Sequence, residues 1–161
     1  MKEKLHDIYW LPATVLFFLG VWDLVRGIGH TFLLRYSAEH GAGFDPVSTP
    51  SDQLFLLGVF GISNFLTGFV YMVISRRARE LSPYVLIIIP STYLLGMIGI
   101  RVSQVHPEAA FNGKYFMAVY FVICLLTFAI FLVQRRMQKA ETRNRGGLVT
   151  GAASQDHHDA G

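Results

Sequence analysis

One cysteine, Cys124, serves a chain of 161 residues. It can close no internal disulfide and belongs to no CxxC pair, so disulfide scaffolds and cysteine metal sites are excluded. Set in the apolar run "YFVICLLTFAIF", it reads as a small hydrophobe. Charge is scarce as well: 16% of residues are Asp, Glu, Lys or Arg, and the formal net charge is +3. Nucleic-acid binding needs a clustered basic face, which so slight a balance does not supply. There is no GxSxG, no HExxH and no HxxxH. The nucleophile elbow of hydrolases and the helix of zinc proteases are therefore missing. "GVFGISNFLTG" (58–68) has neither the spacing nor the strand context of a dinucleotide fingerprint. No metal site is expected, and no cofactor follows from these patterns.

What the chain has instead is oil. Hydrophobic residues make up 52% of it, and its mean hydropathy is +0.40. Four apolar runs fall at about 9–34, 53–75, 84–102 and 115–134. Each is near the roughly 20 residues that cross a ~30 Å hydrocarbon core. A soluble bundle would carry a polar face on every helix, yet the second and fourth runs contain no charge. The fold class expected is all-α, a four-transmembrane-helix bundle over 9–136. A short N-terminus (1–8) precedes it, and a polar Gly/Ala-rich tail (137–161) without fixed structure follows.

Local signals mark the boundaries. "TPSDQ" offers Thr49 as an N-cap, Pro50 at the first helical position and Asp52 near the positive end of the helix dipole. Ser82 and Pro83 repeat the device before the third run, and "FNGK" (111–114) is a turn before the fourth. Pro90 is expected to kink the third helix. "MKEK" ahead of an apolar stretch resembles a secretory signal, but no small-x-small site follows, so the first run is expected to be retained.

Orientation follows from the cations. Lys2, Lys4, Arg76, Arg77, Arg79, Arg135, Arg136, Lys139, Arg143 and Arg145 all fall on one side of a four-span topology. The opposite loops keep only Arg35 and Lys114. The excess of lysine and arginine marks the cytoplasmic side, so both termini are expected there.

Against this background Asp23, Arg26 and His30 stand out. Ionisable groups inside a span cost roughly 2.5–3.5 kcal/mol each on insertion scales, so they turn toward protein or water and find partners. At about 100° per residue the three share an arc of about 60°. Asp23 and Arg26 are one turn apart and can pair. Gly20 and Gly27 flank them, and Gly61, Asn64, Gly68 and Tyr71 form a matching arc on the second run. The two faces are expected to meet, with Asn64 bonded to the Asp23–Arg26 pair. On the third run Thr92, Gly96, Gly99 and Ser103 make a small-residue packing face. Arg101 points the other way, either snorkelling to headgroups or pairing with Asp23 or Glu108. His40, Asp45, His106 and Glu108 lie in the outer loops, His157 and His158 in the tail. The fourth run, with Thr127 and Cys124 its notable polar groups, reads as scaffold.

Arg26-Gly27 before a long loop, a glycine-rich second helix closing in "SRRAR" and a glycine-bearing third helix together resemble the DoxX-like group of small bacterial membrane proteins. The likeness in layout runs over about 10–136. It implies a compact four-helix bundle in a bacterial inner membrane, with some relatives tied to quinone-linked or redox complexes. It carries over no catalytic residue.

Several readings of the polar stripe stay open. It is a network that only fixes helix register, or an outward-facing pocket lined by Asp23, Arg26, His30, Asn64 and Arg101 for a small anionic, lipid or quinone-like ligand. An enzyme or redox subunit using His30 as acid and base is a further reading, as is an oligomeric transporter. In the pocket reading Arg26 holds an anionic or carbonyl group, Asp23 orients Arg26, and His30 exchanges a proton near the mouth. The bilayer is the expected partner, with a second copy or a larger membrane complex beside it.

Overall fold

The computed structural model describes residues 2–43, 50–104 and 113–155, with side chains over 8–41, 43, 50–104 and 115–142. Asp45, Thr49, His106, Glu108, the first half of the 111–114 turn, His157 and His158 lie outside the described residues.

Helix α1 (Lys2–Thr31) ends three residues short of the expected 34. A turn separates it from the short α2 (Leu34–Tyr36), which winds into a π-helical turn, Ser37–Ala42. Gly43, at φ 77°, closes that turn in the left-handed conformation that glycine adopts without steric cost. Helix α3 (Ser51–Arg77) has Pro50 at its N-cap, one residue later than the spacing suggested, and keeps Asp52 in its first turn. A 3-10 turn (Arg79–Leu81) leads straight into α4 (Ser82–Val102), whose N-cap is Leu81 rather than Ser82. Pro90 lies within α4, which continues through it. Helix α5 (Gly113–Gln155) runs past its apolar span into the segment expected to lack order. Its stretch "QRRMQKAE" is rich in helix formers, so a helix already nucleated by the span propagates into it. Among the described residues there is no strand, and four helices are long and apolar enough to cross a membrane: Ile8–Thr31, Ser51–Arg77, Arg79–Val102 and Tyr115–Thr142. Large apolar side chains point outward along all of them, such as Phe18, Phe55, Leu95 and Leu126. That surface suits lipid and makes this an integral membrane protein.

Helices α1 and α3 share the broadest interface of the bundle. Glycines explain it. A Cβ on Gly20 would lie 2.8 Å from the Gly68 carbonyl oxygen, and one on Gly68 would lie 2.8 Å from the Gly20 carbonyl oxygen. At the next level a Cβ on Gly27 would sit 2.8 Å from the Phe65 ring, and one on Gly61 2.9 Å from His30 Cβ. The helices therefore run antiparallel and touch backbone to backbone, the packing that small residues allow in membranes. The faces inferred from the sequence meet. The glycines of α4 behave differently: among the described residues a Cβ on Gly96 or Gly99 would meet nothing within 4 Å. Among the described residues the glycines of that α4 face thus pack against no other helix.

The remaining core gathers Leu16 and Leu19 of α1, Leu86 of α4, and Tyr120 and the fully buried Cys124 of α5. Tyr9 packs against Phe131 beside it, with the rings tilted and their centroids 5.5 Å apart. This cluster seals the half of the bundle near the short α3–α4 connection.

Gly68→Val inserts atoms where a carbonyl and Leu24 already stand, and overpacking of this kind costs about 1–3 kcal/mol. Its unfolding midpoint in detergent is expected to fall by several degrees. Gly96→Ala should leave the midpoint unchanged or raise it, since alanine is the better helix former by up to about 1 kcal/mol. Equal losses in the two variants would contradict this packing.

Candidate functional site

Asp23 is 5% exposed, deep between α1, α3 and α5. Such a carboxylate needs donors, and three reach it. Arg26 Nη1 stands 3.5 Å from Oδ1, a long ion pair one turn along α1. The Thr67 hydroxyl of α3 and the Tyr120 hydroxyl of α5 each donate to Oδ2 at 3.3 Å. Thr67 lies at 3.1 Å from the Ser63 and Asn64 carbonyls too, so its single proton is shared among them. A tyrosine hydroxyl buried in a membrane helix is expensive unless it finds an acceptor, and Asp23 is that acceptor. One carboxylate thereby ties three helices together.

Arg26 is the less committed partner. Its Nη1 also approaches Met117 Sδ at 3.7 Å, and its guanidinium carbon stands 5.6 Å from the centroid of the Phe60 ring. Among the described residues its bonds run through Nη1, which leaves Nε and Nη2 as donors for something else. Asn64 does not make the expected bond to the pair. It is 6% exposed, and its Nδ2 has no acceptor among the described residues. Thr67, one turn further along the same face of α3, takes the place expected of Asn64. Leaving a buried amide donor unpaired costs about 1–3 kcal/mol, and a group in that condition calls for an explanation.

Both residues open onto one cavity of about 410 Å³. Asp23, Arg26, Asn64 and Thr67 form its polar side. Tyr71, Tyr93, Tyr120 and Phe121 supply flat walls, with the Tyr93 and Phe121 rings 4.6 Å apart. Met97, Met117 and Ile100 complete it, and Thr92 and Gly96 of α4 border it. Size and lining match small-molecule sites, which are mostly apolar with a few placed polar groups. The α4 face expected to pack borders this space instead.

Two of the expected site residues stand elsewhere. His30 shares the wheel angle of Asp23, but seven residues of rise carry it about 10 Å along the axis. There it packs against Gly61 and Phe60 in the α1–α3 seam, and its Nδ1 lies 2.7 Å from the Ser37 hydroxyl. It does not line the cavity. Arg101 is exposed in the last turn of α4 and does not line it either. His40 stacks on Tyr36, with centroids 4.4 Å apart, outside the site. Among the described residues no three His, Cys, Asp or Glu side chains come together.

Tyr71 was marked by its place on the α3 arc, whereas Thr67, Tyr93, Met117, Tyr120 and Phe121 were not singled out by the sequence. Thr67 had a signal, its position one turn from Asn64 on the same face. Tyr120 had only the rule that a buried phenol seeks a partner.

No family model, no curated protein and no solved structure matches this chain.

Replacing Asn64 by leucine removes an unpaired buried amide at similar volume. Asn64→Leu is expected to hold or raise the unfolding midpoint in detergent. Tyr120→Phe should lower it by about 1 kcal/mol, the net value of one hydrogen bond. A marked loss in Asn64→Leu would show that its amide has a structural partner.

Proposed function

We propose that this protein binds a small molecule from the outer side of a bacterial inner membrane. The observation that carries the reading is a surplus of donors in the cavity. Asp23, its only carboxylate among the described residues, is already met by Arg26, Thr67 and Tyr120. Among the described residues Nε and Nη2 of Arg26 still have donors to give, and the buried Nδ2 of Asn64, beside them on the cavity wall, meets no acceptor. The complementary ligand therefore presents acceptor oxygens, either an anionic group or the carbonyl of a quinone-like ring. Flat aromatic walls on α3, α4 and α5 suit a ring of that kind.

Asp23 holds Arg26 in position and balances its charge, so a neutral carbonyl as well as an anion is tolerated beside it. Both termini lie in the cytoplasm, as the concentration of lysine and arginine at one end of the spans supports. On that topology Arg26, Phe60, Ile100 and Met117 stand on the outer side of Asp23, and the cavity faces outward. The likeness in layout to the DoxX-like group supports the same topology. The protein acts alone or as an accessory subunit of a larger membrane complex.

Native mass spectrometry of mildly solubilised protein tests the reading. A co-purifying small mass on the wild type, lost in both Arg26→Ala and Asn64→Leu while the variants stay folded, is the expected result. A folded wild type with no such mass would leave the Asp23 cluster a purely structural network.

A further inference from the structure

A second polar concavity lies at the other end of the α1–α3 pair, about 150 Å³ in volume. Trp10, Thr14 and Phe17 come from α1, Ser75 and Arg76 from the end of α3, and Arg79 from the turn that follows. Its depth is fixed by the spans: Arg76 is next to last in the segment Ser51–Arg77, and Arg79 opens Arg79–Val102. Both guanidiniums thus stand where hydrocarbon gives way to headgroups. Trp10, 59% exposed, lies at the same level, where tryptophan is enriched in membrane proteins.

The groove is built for a negative group. Arg76 is held 4.6 Å over the Phe17 ring, which fixes its direction. Among the described residues neither Arg76 nor Arg79 pairs with a carboxylate. The Ser75 hydroxyl spends its proton on the Met72 carbonyl at 2.9 Å, while that of Thr14 has no acceptor among the described residues. Arg76, Arg79 and Thr14 line one groove together with the apolar Ala13 and Phe17. Paired N–H donors of arginine suit phosphate oxygens.

We infer that this groove seats the phosphodiester headgroup of an anionic phospholipid, whose acyl chains run down the outer faces of α1 and α3. The inference rests on the membrane reading of the four spans and not on a ligand in the central cavity. Its failure would leave that proposal untouched.

The test is lipid titration of the full chain in detergent, followed by native mass spectrometry. Phosphatidylglycerol is expected to bind about 30-fold more tightly than phosphatidylcholine, the factor that two arginines contribute together at a membrane surface. Arg76→Gln with Arg79→Gln should abolish this preference. Arg77→Gln, which alters an exposed arginine outside the groove, should keep it. If the double variant does not fold, Arg79→Gln alone should lose most of the preference. Equal binding of the two lipids by the wild type would overturn the inference, as would a preference that survives in the variants. Displacement of phosphatidylglycerol by millimolar inorganic phosphate would assign the groove to a free anion and overturn it as well.

Discussion

Where Gly20 meets Gly68 and Gly27 meets Gly61, α1 and α3 touch backbone to backbone, and the polar interior depends on that approach. Without it the Asp23 carboxylate would stand too far from α3 to receive the Thr67 hydroxyl. Apolar side chains give little net drive for association in a bilayer, because lipid is as oily as leucine. Close approach and interhelical hydrogen bonds replace that drive. The glycines supply the first and Asp23 the second.

A buried ion pair is seldom a net gain in stability, since desolvation offsets much of the attraction. The Asp23–Arg26 pair fits that rule: at 3.5 Å it is long, and a single nitrogen of the guanidinium makes it. Its carboxylate relies on two neutral hydroxyls from other helices instead. The arrangement leaves the arginine partly unspent at the edge of a cavity, beside an unpaired asparagine amide. A chain selected only for stability would have bonded both or replaced them with leucine. Polar groups kept in a span at such cost mark function more often than scaffolding.

The four helices could be read from the length and purity of their apolar runs. Helices α3 and α4 end close to those runs, whereas α1 begins earlier, at Lys2, and α5 continues to Gln155, because helix propagates through polar residues that apolarity does not mark. The Asp23–Arg26 pair and the glycine seam were also legible, because both are periodic features of single helices. What periodicity cannot give is what stands across from a face. Gly96 and Gly99 share a face as well as Gly61 and Gly68 do, yet among the described residues they meet nothing while the other pair meets a backbone. His30 shares the angle of Asp23, but the helix rise removes it from the cavity. Tyr120 lies in a span without charge, and nothing within that span announces an acceptor 97 positions away. Asn64 was placed on the right face, with the wrong partner. Its neighbour one turn on, Thr67, has the shorter side chain and reaches the carboxylate.

The proposed binding requires that Arg26 and Asn64 together face a ligand oxygen. A crystal structure of the lipid-grown protein tests it most directly. The expected result is density for a small molecule in the Asp23 cavity, with an oxygen about 2.7–3.2 Å from both Asn64 Nδ2 and the Arg26 guanidinium. An acyl chain filling that cavity without polar contact, or an Asn64 amide turned onto a neighbouring carbonyl, would contradict it.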